Sequence, residues 1–221
     1  MSIEIVNSEI FEENNVHKIY DSISQHFSCT RKIIWPKVND FINQFEKGST
    51  ILDIGCGNGK NMGTREDCQY VGIDTCINLI NQAEEKKNCK YFKGNCLDIP
   101  LENNSIEYVM SIAVIHHLSS VERRLKALQE IERVLKIGGK ALIYVWAYEQ
   151  EKFKNETSQD VKVRWMLQKK YNTDNKDEVL YRYYHLFKHK ELEILIKKIN
   201  TFSIIESGEQ CNNWYCIIKK I

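Results

Sequence analysis

The residues Thr50-Ile51-Leu52-Asp53-Ile54-Gly55-Cys56-Gly57-Asn58-Gly59 join an apolar run to an acid and then to three glycines at alternate positions. Asp74 closes a second apolar run, Tyr70-Val71-Gly72-Ile73, at the interval of about twenty residues that separates the ends of adjacent strands in a βαβ unit. The pattern reads as a strand, a backbone-lined turn, a helix and a second strand tipped by a carboxylate. In open α/β sheets ligands bind beyond the carboxyl ends of the strands, where an acid can hold the hydroxyls of a ribose. The chemistry implied is binding of a nucleoside-containing cofactor.

Two phosphate-binding alternatives fail on spacing. G-x-G-x-x-G would need glycine at Lys60 or Met62, and a P-loop would need Ser or Thr after Lys60, where Asn61 stands. D-x-G-C-G-x-G instead resembles the first motif of the class I S-adenosylmethionine-dependent methyltransferases. Glycine lets a backbone approach a ligand closely, and Asp53 suits a cationic amino-acid moiety better than an anion. The resemblance implies cofactor contacts from Asp53, Gly55, Gly57, Gly59, Asp74, Asn95, Cys96 and Ser111. Asn95 stands where the family often carries an acid that accepts from the adenine amino group. Its amide oxygen can still accept, Asp98 could substitute, and Asp98 equally suits a turn before Pro100.

Cations and aromatics crowd a later region: Lys162, Arg164, Lys169, Lys170, Arg182, Lys188 and Lys190 among Trp165, Tyr171, Tyr181, Tyr183, Tyr184 and Phe187. Such a mixture suits phosphates and unstacked bases, or a solvated loop beside a packed amphipathic segment. Five segments narrow the resemblance: YDSISQHFSCTRKIIWP from Tyr20, SIAVIHHLSSVERRLKAL from Ser111, ALIYVWAYEQ from Ala141, YRYYHLF from Tyr181 and NNWYCIIKK from Asn212. Their order and spacing resemble the eukaryotic tRNA methyltransferases that complete 5-methoxycarbonylmethyluridine at the wobble position. The middle insertion is shorter than many relatives carry.

That resemblance implies methyl transfer from S-adenosylmethionine to the carboxylate of 5-carboxymethyluridine in tRNA. A carboxylate is already ionised at neutral pH, so no strong base is needed; the site must grip the anion, exclude water and align it. Arginine's planar fork suits that grip. Arg31, Arg182, His116 and His117 are the catalytic candidates, and Trp146, Tyr184, His185, Asn213 and Trp214 the substrate-binding ones. Packing is the competing role for Trp146, Tyr184, His185 and Trp214, and orienting the loop for one of His116 and His117. Arg123 and Arg124 are expected on the solvated side of a helix. The family acts with a small zinc-containing activator protein, which implies a heterodimer here, through an edge strand at Cys89 to Lys93. This chain itself shows no zinc-ligand spacing and no metal site is expected. Two other functions compete: a class I methyltransferase with a small-molecule acceptor, and a non-catalytic RNA-binding module that keeps the fold.

The elements needed to position these residues are legible as alternating strands and helices. Helices are expected over about 8–25 and 35–45, with short helices at 60–63 and 77–87, a longer one at 121–136 and another at 192–199. Strands are expected at 50–54, 70–74, 89–93, 106–113, 141–146, 201–206 and 214–219, the last two connected through Gly208. Residues 148–177 read as a polar loop or insertion. The expected fold is α/β, a doubly wound Rossmann-like class I methyltransferase sheet with N-terminal helices and a C-terminal antiparallel strand. Residues 1–48 form a helical extension of the same domain, and 49–221 the methyltransferase domain.

Bulk properties agree with one domain of 221 residues carrying a net charge of +1. Eight cysteines are irregularly spaced without a C-x-x-C pair, which favours reduced thiols and a cytoplasmic, or also nuclear, location. No signal-peptide pattern and no run of membrane-spanning length is evident.

Overall fold

The structure, a computed structural model, describes residues 3–221. Strands β1 (Thr50–Ile54), β2 (Gln69–Asp74), β3 (Cys89–Lys93), β4 (Ile106–Ile112) and β5 (Leu135–Trp146) run parallel. They join β8 (Phe202–Gln210) and β9 (Asn213–Lys220) in one sheet of order β3-β2-β1-β4-β5-β9-β8. Strand β9 is antiparallel to both β5 and β8. Ile51, Leu52 and Ile54 of β1 are fully buried, the near-continuous apolar run that a strand covered on both faces requires. On one face, helices α5 (Val121–Val134) and α6 (Glu191–Ile196) press Leu128, Ile131, Leu192 and Ile196 against Leu52, Val109 and Ile143. On the other, α3 (Pro36–Ile42) packs Val38, Phe41 and Ile42 against Ile51, Met110 and Leu142.

The chain enters over the carboxyl ends of the strands. Helix α1 (Ser8–Glu12), capped by the Asn7 side chain on the Ile10 amide, passes through a π turn at Glu13–His17 into α2 (Lys18–Cys29). Glu12, 1 % exposed, anchors this segment. Its carboxylate accepts from the Ser119 amide and hydroxyl and from Arg123 Nε and Nη2, at 2.7–2.9 Å. Arg123 is therefore an ion-pair partner, not a solvated residue. Arg124 is corrected likewise: it is 4 % exposed and donates to the Leu118 carbonyl. Helical periodicity marks which face looks away from the sheet, but not that Glu12 of α1 meets Arg123 there or that the Phe187 ring lies against Arg124.

The region expected as a polar loop contains the largest departure. Strands β6 (Asp160–Leu167) and β7 (Glu178–His185) pair antiparallel in a separate two-stranded sheet. Val161 and Val163 face Tyr184, Leu186 and Phe153 in a small core, while Lys162, Arg164 and Met166 point outward. The alternation was present in the sequence, but its polar average concealed it. Helix α4 (Ile77–Ile80) ends well short of residue 87, and residues 60–63 form turns rather than a helix. The β8–β9 turn lies at Cys211 and Asn212, both at positive φ (54° and 63°), as a tight hairpin demands. Gly208 lies within β8, against the Tyr215 ring.

Because Glu12 joins the N-terminal helix to the loop after β4, Glu12→Ala is expected to lower unfolding free energy by about 3 kcal/mol, the scale for breaking a buried ion pair. Urea denaturation measures this; a change within experimental error would remove Glu12 as the anchor.

Candidate active site

A cavity of about 500 Å³ opens beyond the carboxyl ends of β1, β2 and β4, with α2 and its C-terminal loop as a roof. One end is acidic. Asp74, at the tip of β2, accepts from the Gly57 amide at Oδ2 and from the Cys76 amide at Oδ1, both at 2.8 Å. These bonds fix the carboxylate and leave lone pairs toward the cavity it lines. Gly55 has φ of 66°, and a Cβ there would stand 2.4 Å from Val114 Cγ2, so only glycine lets the turn pass. The amides of Gly55, Cys56, Gly57 and Gly59 all donate within the protein. With no helix beginning behind them, they make no phosphate cradle, whereas a nucleoside without phosphate fits.

Asp53 sits at the end of β1, behind the cavity wall rather than on it. Its Oδ2 is buried without a hydrogen-bond partner. Burial pushes its carboxyl up to about 7, with Lys60 opposing and the charge on Asp74 adding to the rise. An unpaired buried carboxylate beside a pocket suits a ligand that brings a positive charge. Gly59 and Ser111 also lie off the cavity. Gly59 is required by its φ of 71° and by Tyr91, whose hydroxyl would meet a Cβ at 2.5 Å. Ser111 is fully buried in β4. Asn95 and Cys96 do line the cavity and Asp98 does not; the Asn95 amide oxygen accepts from the Leu97 amide at 2.9 Å.

The other end is cationic and aromatic. Arg31 lines the cavity, its guanidinium 4.3 Å from the Phe27 ring centre. Arg182, 3 % exposed, stands directly behind the wall formed by Tyr20 and Tyr184. Its guanidinium carbon is 4.7 Å from the Trp165 ring centre, 5.4 Å from Tyr184, 5.5 Å from Tyr20 and 5.9 Å from Phe27. Among the described residues neither arginine has a carboxylate at ion-pair distance; their hydrogen bonds go to Thr30 and to Tyr20. Burial lowers the Arg31 pKa, and the nearby Arg182 charge adds to that.

The two histidines differ. The Trp146 amide, which can only donate, reaches His116 Nδ1 at 3.1 Å. Nε2 of the neutral ring therefore carries the proton, and it is buried without a partner in a residue lining the cavity. Burial holds His116 well below the ordinary imidazole pKa, with His117 and Arg182 adding to the effect. His116 is thus a free N–H donor and not a base. His117 has both nitrogens engaged, to the Tyr183 carbonyl and the Tyr20 hydroxyl.

Trp146 and Tyr184 line the cavity and stack on each other, ring centres 4.3 Å apart. Three other substrate candidates do not reach it. His185 is held between Asp160 and Glu191 at 2.9 and 2.7 Å; burial lowers its pKa, but the two acids more than reverse that. Trp214 donates to Glu149, and Asn213 braces the β8–β9 turn through the Cys211 carbonyl. In each the N–H groups are engaged away from the cavity, at β6 and α6 for His185, at Glu149 for Trp214 and at the β8–β9 turn for Asn213. Sequence reasoning missed His17, Tyr20 and Phe27, and named Trp165 only as part of the cationic and aromatic region. A signal existed for three: His17, Tyr20 and Phe27 recur at helical spacing on one face.

A doubly wound sheet with a carboxylate-tipped second strand, a turn that offers no amides to phosphate and a cavity acidic at one end is that of an S-adenosylmethionine-dependent methyltransferase. A methyltransferase-domain family model matches residues 52–143. The fold is shared with a Burkholderia thailandensis N1-methyltransferase bound to S-adenosylhomocysteine (TM-score 0.71, 13 % identity, 100 % of this chain and 93 % of that one). It is also shared with a Haloferax volcanii methyltransferase complexed with the Trm112 activator (TM-score 0.70, 13 % identity, 93 % and 97 %).

The chain is 38 % identical to a tRNA (carboxymethyluridine(34)-5-O)-methyltransferase of Schizosaccharomyces pombe, over 95 % of this chain and 98 % of the relative. It is 34 % identical to one of Xenopus tropicalis, over 98 % of this chain but 42 % of that longer protein. The chain belongs to the tRNA (carboxymethyluridine(34)-5-O)-methyltransferase family.

The perturbed Asp53 generates a pH prediction. In the ligand-free protein Asp53 is neutral below about pH 7 and anionic above it. The α-ammonium of S-adenosylmethionine favours the anion, so cofactor affinity should fall as pH drops through about 7, by up to roughly tenfold per pH unit. For the ligand-free fold the sign is opposite: a raised folded-state pKa favours the protonated form, so this group's contribution weakens as pH rises from 3.8 toward 7. Calorimetric titration at pH 6 and pH 8 tests it, with Asp53→Asn abolishing the pH difference. An unchanged difference in the variant would assign the effect to another group.

Proposed function

We propose that this protein methylates the carboxylate of 5-carboxymethyluridine at the tRNA wobble position, giving the methyl ester. The observation that carries the reading is the pair of arginines without carboxylate partners at one end of the cavity, one lining it and one just behind. A buried cation is costly unless something answers its charge, and an anionic substrate would do so.

S-adenosylmethionine, when bound, supplies an electrophilic methyl group; Asp74 would hold its ribose, and the charge of Asp53, behind the wall, would answer its ammonium. The protein's remaining work is to orient and desolvate the acceptor. Arg31 meets the carboxylate, which also lies in the field of Arg182, and His116 Nε2–H donates to it or to a uracil carbonyl. Since the carboxylate is already ionised at neutral pH, no side chain has to remove a proton. This agrees with a site whose histidines are a neutral donor and a fully engaged ring. Trp146 and Tyr184 form an aromatic wall against which a base can pack.

The same reading includes an activator partner and a reducing compartment, cytoplasmic or nuclear. Strand β3 is an edge of the sheet with Phe92 48 % exposed, a place where a second protein can add a strand. All eight cysteines are free.

Transfer of label from S-adenosylmethionine to tRNA bearing carboxymethyluridine, followed by nucleoside mass spectrometry, tests the function directly. A methyl ester on the wobble uridine is expected, and Arg182→Ala should lower kcat/KM roughly a hundredfold while leaving cofactor affinity intact. No transfer by a protein shown to bind cofactor and activator would overturn the assignment. For the partner, Phe92→Asp should abolish co-elution with the activator in size-exclusion chromatography; retained co-elution would move the interface elsewhere.

A further inference from the structure

We propose that Tyr20 is a positioning residue for recognition of the substrate anion: its hydroxyl fixes the direction of a hydrogen-bond chain that ends on Arg182. This deepens the proposed function and rests on it.

The direction follows from the one group that cannot vary. The Tyr183 carbonyl can only accept, so His117 Nδ1, 2.8 Å away, donates to it. Burial, assisted by the charge on Arg182 and opposed by this bond, pushes the His117 pKa down to about 3. The ring is therefore neutral and Nε2 is an acceptor. The Tyr20 hydroxyl, 3.0 Å from Nε2, must give it its single proton. The Tyr20 oxygen is then left with lone pairs alone, and two donors approach it: Arg182 Nη1 at 3.2 Å and the Tyr184 hydroxyl at 3.1 Å. Running the chain the other way would set the Tyr20 proton against a guanidinium that has no lone pair to offer.

The consequence falls on Arg182. It is almost entirely buried, and Tyr20 is its one hydrogen-bond acceptor among the described residues. Its Nε has none. The four surrounding rings attract the cation but offer its N–H groups no directed acceptor. The Tyr20 oxygen supplies the missing orientation. It holds Nη1 to the cavity wall and leaves the Nε side of the guanidinium without a partner. His117 acts at one remove, by keeping the Tyr20 proton away from Arg182. It is thereby a positioning residue as well, although its ring lines the cavity.

Tyr20→Phe keeps the ring of the cage and deletes only the oxygen. The informative quantity is a ratio: the affinity of the holoenzyme for tRNA bearing carboxymethyluridine divided by that for tRNA bearing carbamoylmethyluridine, a neutral isostere. A purely structural role for Tyr20 would weaken both ligands together and leave the ratio unchanged. The wild type should prefer the carboxylate. Tyr20→Phe should reduce that preference roughly tenfold, the scale for a hydrogen bond to a charged group, with cofactor affinity unchanged. If Tyr20→Phe does not fold, His117→Ala serves in its place and should reduce the same ratio; where both fold, the double variant should lose no more than the larger single loss. A wild-type preference that persists in both variants would overturn the inference and leave the proposed function standing. A wild type indifferent to carboxylate and amide would overturn the proposed function itself.

Discussion

A positive charge is held out of water at Arg182 with no carboxylate among the described residues to balance it, and much of the molecule is arranged around that fact. Four aromatic rings and one hydroxyl surround the guanidinium. They come from α2, which carries Tyr20 and Phe27, and from the β6–β7 hairpin, which carries Trp165 and Tyr184. Neither element belongs to the seven-stranded sheet. Each is tied to the rest by its own contacts: Glu12, in the helix that leads into α2, to Arg123 and Ser119, and His185 of the hairpin to Glu191 of α6. The first is a buried ion pair and the second a hydrogen-bonded imidazole between two carboxylates, and both fix directions that apolar packing leaves open.

The cavity and its walls carry charges of both signs, with Lys60 within range of both Asp53 and Arg31. Asp53 and Asp74 lie at the carboxyl ends of β1 and β2, while Arg31 and Arg182 lie with α2 and the hairpin. A cationic cofactor and an anionic acceptor would each find its counter-charge, and the reacting centres would meet between them. Electrostatic preorganisation of this kind acts without any proton transfer by the protein, and the histidines fit that arrangement. His116 offers a proton it does not give up, and His117 is saturated on both sides.

The glycine turn shows how one backbone geometry supports different ligands. In dinucleotide-binding folds the turn opens into a helix whose free amides meet a pyrophosphate. Here the amides close on Ile73, Asp74 and Cys56, and the chain continues through turns. The same topology then selects a ligand for its ribose and its positive charge.

Much of this was legible in the residues. The alternation of strands and helices, the glycine turn and the acids at positions 53 and 74 are local patterns. They arise from strand periodicity and from backbone conformations that only glycine adopts easily, so a linear reading finds them. What the sequence did not determine lies where distant segments meet. That Arg123 is paired depends on Glu12, more than a hundred residues upstream, and that Arg124 is covered depends on Phe187, more than sixty residues downstream. That His185 and Trp214 turn away from the cavity depends on Glu191 and Glu149 competing for their N–H groups. Which histidine is free was decided by two backbone groups, the Trp146 amide and the Tyr183 carbonyl, brought to the ring pair by β5 and β7. Hydrogen-bond direction is a property of contacts, and contacts across the chain exist only once it has folded.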